Sequence, residues 1–250
     1  MQFDLESVRE QLLGRRIEWF QSVGSTMTIA AQWAREGCPS GSVVGADEQS
    51  AGIGRHGHTW HSEPAAGLYV SLVLRLPLTT AGLPVVMLAL GIAAQEAIAE
   101  TAGLHADLRW PNDLLVDGRK CGGMLAQFEG GAIVAGIGIN VGHSAFPPDI
   151  EDTATSLRLA GAAVSREDLL VALVRSVDKV CEVLTTRGRS AILEMFAHAS
   201  SYAQGRRVRV EKDGGLLEGV TCGLDPSGFL MVREDNGKET TILAGGVRPV

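Results

Sequence analysis

Three observations in the sequence predict an α+β fold. Strand-length runs that alternate with period two are interleaved with helix-length runs as far as Ala199. One helical run, Leu83 to Thr101, is apolar on all sides. The segment 204–250 carries three turn signals and no helical run. The chain therefore reads as a mixed helix-and-strand domain over 1–203 and a small barrel-like β domain over 204–250.

Ile17 to Val23 (IEWFQSV) is the first strand. Gly24-Ser25-Thr26 then leads into MTIAAQWARE, a helix with a serine or threonine cap and Gly37 at its end. Gly41 to Glu48 is the second strand. Leu68 to Leu76 is the third, where Leu72, Leu74 and Leu76 alternate with Val73 and Arg75. Residues 108–141 read as a three-stranded meander with turns at Asp117-Gly118 and Glu129-Gly130-Gly131. In its last strand Ile133, Ala135, Ile137, Ile139 and Val141 form a core face. Val134, Gly136, Gly138 and Asn140 form the other, which is nearly bare backbone. Glycine weakens a strand unless something must approach closely, so a ligand is expected on that face. Ser165 to Thr186 is a helix with Ser165 as cap and Asp168 near its dipole, and Ser190 to Ala199 is another. Arg206 to Lys212 alternates as a strand. Turns at Lys212-Asp213-Gly214-Gly215, Asp225-Pro226-Ser227-Gly228 and Asp235-Asn236-Gly237 then divide four or five short strands.

Composition narrows the function. The chain has 250 residues, 45% hydrophobic and 20% charged, with a net charge of −7. An acidic body disfavours general nucleic-acid or anionic-membrane binding, so neither DNA nor membrane is expected as a partner. Cys38, Cys121, Cys181 and Cys222 are far apart, without a CxxC pair, and read as reduced buried thiols. The polar, acidic N-terminus is no signal peptide, and the run Leu83 to Ala94 is too short to span a membrane. A cytoplasmic location is expected.

Three segments could carry chemistry. The first is the loop EQSAGIGRHGHTWHSEPAAG, Glu48 to Gly67. Its glycines expose backbone N–H groups and Arg55 adds a guanidinium, which together suit an anion. It is neither a P-loop nor a dinucleotide fingerprint, and a mobile surface loop is the plain alternative. His56, His58 and His61 have no strand or helix to aim all three inward, so no shared metal site is expected among them. The second segment is Arg109-Trp110-Pro111-Asn112-Asp113. It offers a flat ring, a two-sided amide and a carboxylate, or else a plain turn at a sheet edge. The third is Lys120, which alternation places on one face with Gly122. There it would reach a phosphate or carboxylate, or else stand solvated on a hairpin.

Taken together and in order, GIGRHGHTW, RWPND, RKCGGML and GIGIN resemble the biotin protein ligases, as does the closing ILAGGVRPV. The resemblance covers about residues 17 to 250. It implies a mixed β-sheet catalytic domain with flanking helices, of the class II aminoacyl-tRNA synthetase/biotin ligase type, plus a small C-terminal SH3-like β-barrel. It implies joining of biotin and ATP, with Mg²⁺, into biotinyl-5′-AMP, and transfer to a lysine of a biotin carboxyl carrier domain of a carboxylase. With about sixteen residues before the first strand, the chain looks like the monofunctional type that binds no DNA. Lys120 and Arg55 are the residues expected to carry catalysis. Ser25, Thr26, Met27, Gln49, Gly52, Ile53, Gly54, Arg55, Lys120, Gly123, Gly136 and Gly138 match positions around biotin, with Gly122 also walling the slot. Arg55, His56, Trp60, Asn112, Lys120 and Asn140 match positions around the nucleotide. Asp113 is an indirect partner for Mg²⁺, and no side chain is assigned as a direct metal ligand. Glycine-rich edge strands would suit pairing of two copies into a homodimer.

The departures carry their own expectation. Ile53 stands where arginine is usual, His56 and His58 where basic residues are common, Arg109 where lysine is usual, and Met27 where a polar residue is common. The loop thus exchanges permanent charge for imidazoles. Adenylate release is expected to slow below about pH 6.5 as loop histidines take up protons. A dissociation rate that is constant from about pH 6 to about pH 8 refutes that expectation. Two rivals are a lipoyl or octanoyl transferase-like enzyme and a non-catalytic biotin-binding relative. Lipoate tested against biotin separates the first, and absence of adenylate formation marks the second.

Overall fold

The structure is a computed structural model that describes residues 3–212 and 215–250. It begins with α1 (Leu5–Gln11), whose cap Asp4 accepts the Ser7 N–H. Only Val8 of α1 is buried, so the helix carries too little apolar periodicity to be read from sequence. Seven strands then build one sheet: β1 (Ile17–Val23), β2 (Ser42–Gln49), β3 (Gly67–Leu74), β4 (Asp107–Arg109), β5 (Asp113–Val116), β6 (Arg119–Glu129) and β7 (Ala132–Asn140). Their order is β1-β2-β3-β7-β6-β5-β4. Only β1 and β2 are parallel, joined by α2 (Thr26–Arg35).

Alternation decides which face each residue joins. Leu68, Val70, Leu72, Ile133, Ala135, Ile137 and Ile139 pack against α3 (Leu83–Ala102), α4 (Arg166–Arg187) and α5 (Arg189–Ala199). Val44, Val73 and Val134 face the other way, under Met27, Ala30 and Ala34 of α2. The core face expected for β7 is therefore the observed one.

Four expectations need correction. The meander has four strands, because β4 is only three residues long and too short to show a period. The glycine-rich β6 and β7 are interior strands, while the edges are β1 and β4. A homodimer through glycine-rich edges therefore has no such edge to use. The run Leu83 to Ala94 lies within a 20-residue helix, and Thr80–Ala102 is long and apolar enough to cross a membrane. Here that helix is packed into the core. Finally, Cys38 and Cys121 are buried but Cys181 and Cys222 only partly so, and all four are free.

A second, antiparallel sheet follows: β8 (Gln204–Lys212), β9 (Gly215–Leu224), β10 (Leu230–Glu234), β11 (Glu239–Ile242) and β12 (Val247–Pro249), in the order β11-β10-β9-β8-β12. The turn at Lys212-Asp213-Gly214-Gly215 lies partly outside the described residues. The turn at Asp225 closes as expected, with the Gly228 N–H on the Asp225 carbonyl at 3.0 Å. Val208, Val210, Leu217, Leu230 and Val232 join the main core. Trp110 fastens the two sheets by donating from Nε1 to the Gly228 carbonyl at 3.0 Å. Trp110→Phe removes that donor and part of a buried ring system. It is expected to cost about 2–3 kcal/mol, read as a lower urea midpoint.

Candidate active site

The face of the sheet under α2 becomes a slot where glycine replaces side chains. A Cβ on Gly138 would lie 2.6 Å from the Trp60 ring, and one on Gly136 would lie 2.6 Å from Met27 Sδ. These positions are bare so that Trp60 and Met27 can approach the backbone. The resulting cavity, about 210 Å³, is lined by Thr26, Met27, Gln49, Ile53, Gly54, Arg55, Trp60, Asn112, Lys120, Gly123, Gly136 and Gly138. Twelve residues nominated from sequence thus meet in one place. Ser25 is buried beside Thr26 at the N-cap position of α2, but its Oγ makes no cap bond and has no partner. Gly52 supports the loop, with its carbonyl accepting from the Trp60 N–H at 3.0 Å. His56 falls outside the described side chains.

At the polar end of the slot, Thr26 binds Gln49 through its N–H (2.9 Å) and Oγ1 (3.1 Å). Buried Ser71, on β3, lies 2.8 Å from Thr26 Oγ1. Ser71 lies in the strand read over Leu68 to Leu76 and was not nominated from the sequence.

At the charged end, Lys120 Nζ lies 2.5 Å from Asp113 Oδ1, and Arg109 donates to Asp113 Oδ2 at 2.6 and 3.1 Å. Arg55 donates to Asn112 Oδ1 at 3.3 Å, while Asn112 Nδ2 donates to the Met124 carbonyl at 3.0 Å. Burial lowers the Arg55 pKa, opposed by Asp113. For Asp113, burial acts upward, but Lys120 and Arg109 outweigh it and hold the carboxyl below its ordinary value. The unfolded chain therefore takes up this proton first as pH falls. Stabilisation from the cluster is complete above about pH 4 and is lost as pH falls through the lowered native value. Asp113→Asn is expected to flatten that acid-side loss, read from urea midpoints between about pH 5 and about pH 2.

One face assignment fails. The ladder between β5 and β6 slips between Leu114 and Leu115, pairing them with Gly122 and Lys120. Buried Cys121 is the extra residue. Lys120 consequently shares a side with Gly123, where a Cβ would lie 3.3 Å from Nζ. Gly122 faces Leu114 instead and does not line the slot. A bulge defeats period-two counting because it shifts every later residue by one face. Trp110 is also corrected: it is buried against the second sheet and presents no face to this site.

A second cavity, about 350 Å³, adjoins the first. Trp60 and Lys120 line both, and Asn140, His61, Phe146 and Ile150 line the second. Asn140 is held by donating to the Thr155 carbonyl at 3.0 Å. Phe146 and Ile150 come from a segment without periodicity, so nothing in the sequence nominated them. The loop over the junction is structured. Ile53 bridges Thr59, and the Gly54 N–H bonds the His58 carbonyl at 2.7 Å.

Comparison with known proteins agrees with this geometry. The family model "Biotin/lipoate A/B protein ligase family" matches residues 19–144, and "Biotin protein ligase C terminal domain" matches 204–247. A biotin--[acetyl-CoA-carboxylase] ligase of Mycobacterium tuberculosis is 32% identical over 97% of this chain and 94% of its own. The chain belongs to the biotin/lipoate A/B protein ligase family. Within that family it is also similar to the bifunctional ligase/repressor BirA of Bacillus subtilis, at 30% identity over 92% of this chain and 73% of the relative. The biotin protein ligase of Aquifex aeolicus, solved in complex with biotin and ATP, superposes with a TM-score of 0.83. It is 26% identical and covers 94% of this chain and 99% of that one. Both sheets are thus those of a biotin protein ligase fold.

Proposed function

We propose that this member of the biotin protein ligases condenses biotin with ATP to biotinyl-5′-AMP and passes the biotinyl group to a lysine of a carboxylase carrier domain. The observation that carries the reading is Lys120, which lines the glycine-walled slot and the second cavity at once. Biotin would occupy the slot, with its ring against Met27, Gly136 and Gly138 and its polar head toward Thr26, Gln49 and the unpartnered Ser25 hydroxyl. ATP would occupy the second cavity beside Trp60 and Asn140.

In the first step a biotin carboxylate oxygen attacks the α-phosphorus and the bond to pyrophosphate breaks. Two negative groups meet, so cations at the junction stabilise the developing charge. Lys120 and Arg55 would be the cations at that junction. Asp113 holds Lys120 in position. In the second step a neutral lysine amine of the carrier attacks the biotinyl carbonyl. The amide bond forms, the amine loses a proton, and AMP leaves. The loop Gly52–Trp60 would shield the adenylate from water. Both Asp113 oxygens are engaged by Lys120 and Arg109, so Asp113 does not fit as a direct magnesium ligand. Mg²⁺ enters as the counter-ion of ATP, held by phosphate and water.

Pure protein given ATP, Mg²⁺ and biotin, then a carrier domain, should add one biotinyl group to the carrier by intact mass. Lipoate in place of biotin should give no product. Biotin binding without adenylate would leave a non-catalytic binder and overturn the reading.

A further inference from the structure

Behind the second cavity stands a group that the ligase chemistry does not use. The ligating atoms of His61, Glu63 and His143 all lie within 4.8 Å of one another, and among the described residues no other such trio occurs. His143 is completely buried. Tyr69 Oη lies 3.0 Å from the Glu63 carbonyl oxygen and 3.2 Å from His143 Nε2. With the phenolic proton on the Glu63 carbonyl, which only accepts, His143 donates from Nε2 to Tyr69. In that tautomer Nδ1 is a bare lone pair, and Nδ1 is buried with no hydrogen-bond partner. The neighbouring Ala66 carbonyl cannot donate to it, and already accepts the Val141 and Gly142 amides.

A buried imidazole with an unpartnered nitrogen, grouped with a second imidazole and a carboxylate, suits a cation. We infer that His61, Glu63 and His143 bind a divalent transition-metal ion of the zinc type. Two imidazoles and one carboxylate are a zinc donor set with a fourth position open, whereas magnesium and calcium prefer all-oxygen sites. Tyr69 gripping the far nitrogen of His143 is the support that metal-bound histidines ordinarily receive. The ion would tie the end of the loop, at His61 and Glu63, to the chain just past β7.

The test is calorimetric titration of Zn²⁺ into tag-free, chelator-stripped full-length protein, with Co²⁺ absorption as a second readout. One Zn²⁺ per chain is expected. His61→Ala and Glu63→Gln should each weaken binding by at least about tenfold. Co²⁺ should give visible d–d bands in the wild type that are lost in His61→Ala. These two residues are chosen because replacing fully buried His143 risks unfolding. Melting curves of the metal-free variants should match the wild type. No zinc bound would overturn the proposal and assign the other tautomer, with Nδ1 donating toward Ala66 and Nε2 accepting from Tyr69. Zinc bound equally well by both variants would place the ion elsewhere and overturn it too.

Discussion

Lys120→Ala is expected to slow adenylate formation by about 10²–10³-fold, measured as pyrophosphate release at saturating biotin and ATP. Lys120 sits where the two cavities join, 2.5 Å from Asp113 and 5.4 Å above the Trp60 ring. Its charge would be felt most when carboxylate and phosphate meet, so the loss should fall on kcat more than on KM. Arg55 remains at the same end of the slot, so a residual rate should persist. The fold should survive, because Arg109 still pairs with Asp113. A melting temperature near that of the wild type would separate lost chemistry from lost structure. A rate within about tenfold of wild type would move the charge-opposing role to Arg55.

Gly138→Val should weaken biotin binding by about 100-fold or more, read by calorimetry, with a modest fall in melting temperature. Even a single Cβ here would sit 2.6 Å from Trp60 Cε2 and 2.9 Å from its Nε1. Trp60 is held from the loop side by its backbone bond to Gly52, so its ring has little freedom to retreat. A valine would therefore fill the slot or displace the ring. Overpacking against Trp60 should cost about 1–3 kcal/mol, while β7 itself tolerates β-branched residues at Val134 and Ile139. Unchanged affinity would mean that biotin does not lie against β7.

The core was legible because burial and period coincide. Ile133 to Val141 reads as two faces, and the two faces pack against different helices. The slot was legible for the same reason, since glycines at Gly136 and Gly138 have no place in a strand unless something takes their space. What escaped reading had no period to betray it. α1 buries one side chain, β4 is a single three-residue pairing, and Phe146 and Ile150 lie in irregular chain. Lys120 lines the slot but was assigned the wrong glycine neighbour, because a bulge leaves no mark in composition. His143 escaped because its significance lies in Tyr69 and Glu63, which are far from it along the chain. Pairings across long separations set the tautomer of that ring, and no local pattern encodes them.

The order of synthesis gives α3 one further consequence. Its 20 residues leave the ribosome before β4 to β7, α4 and α5 exist to cover them. Until roughly half of the remaining chain has followed, the growing polypeptide displays an apolar rod with only β1 to β3 of its sheet available. A ribosome that stalls shortly past Gly103 would leave that rod exposed, a form prone to clumping and in need of a chaperone. Slow translation of residues 105–140 should therefore lower the soluble yield more than slow translation of residues 204–250, where the helix has already found its partners.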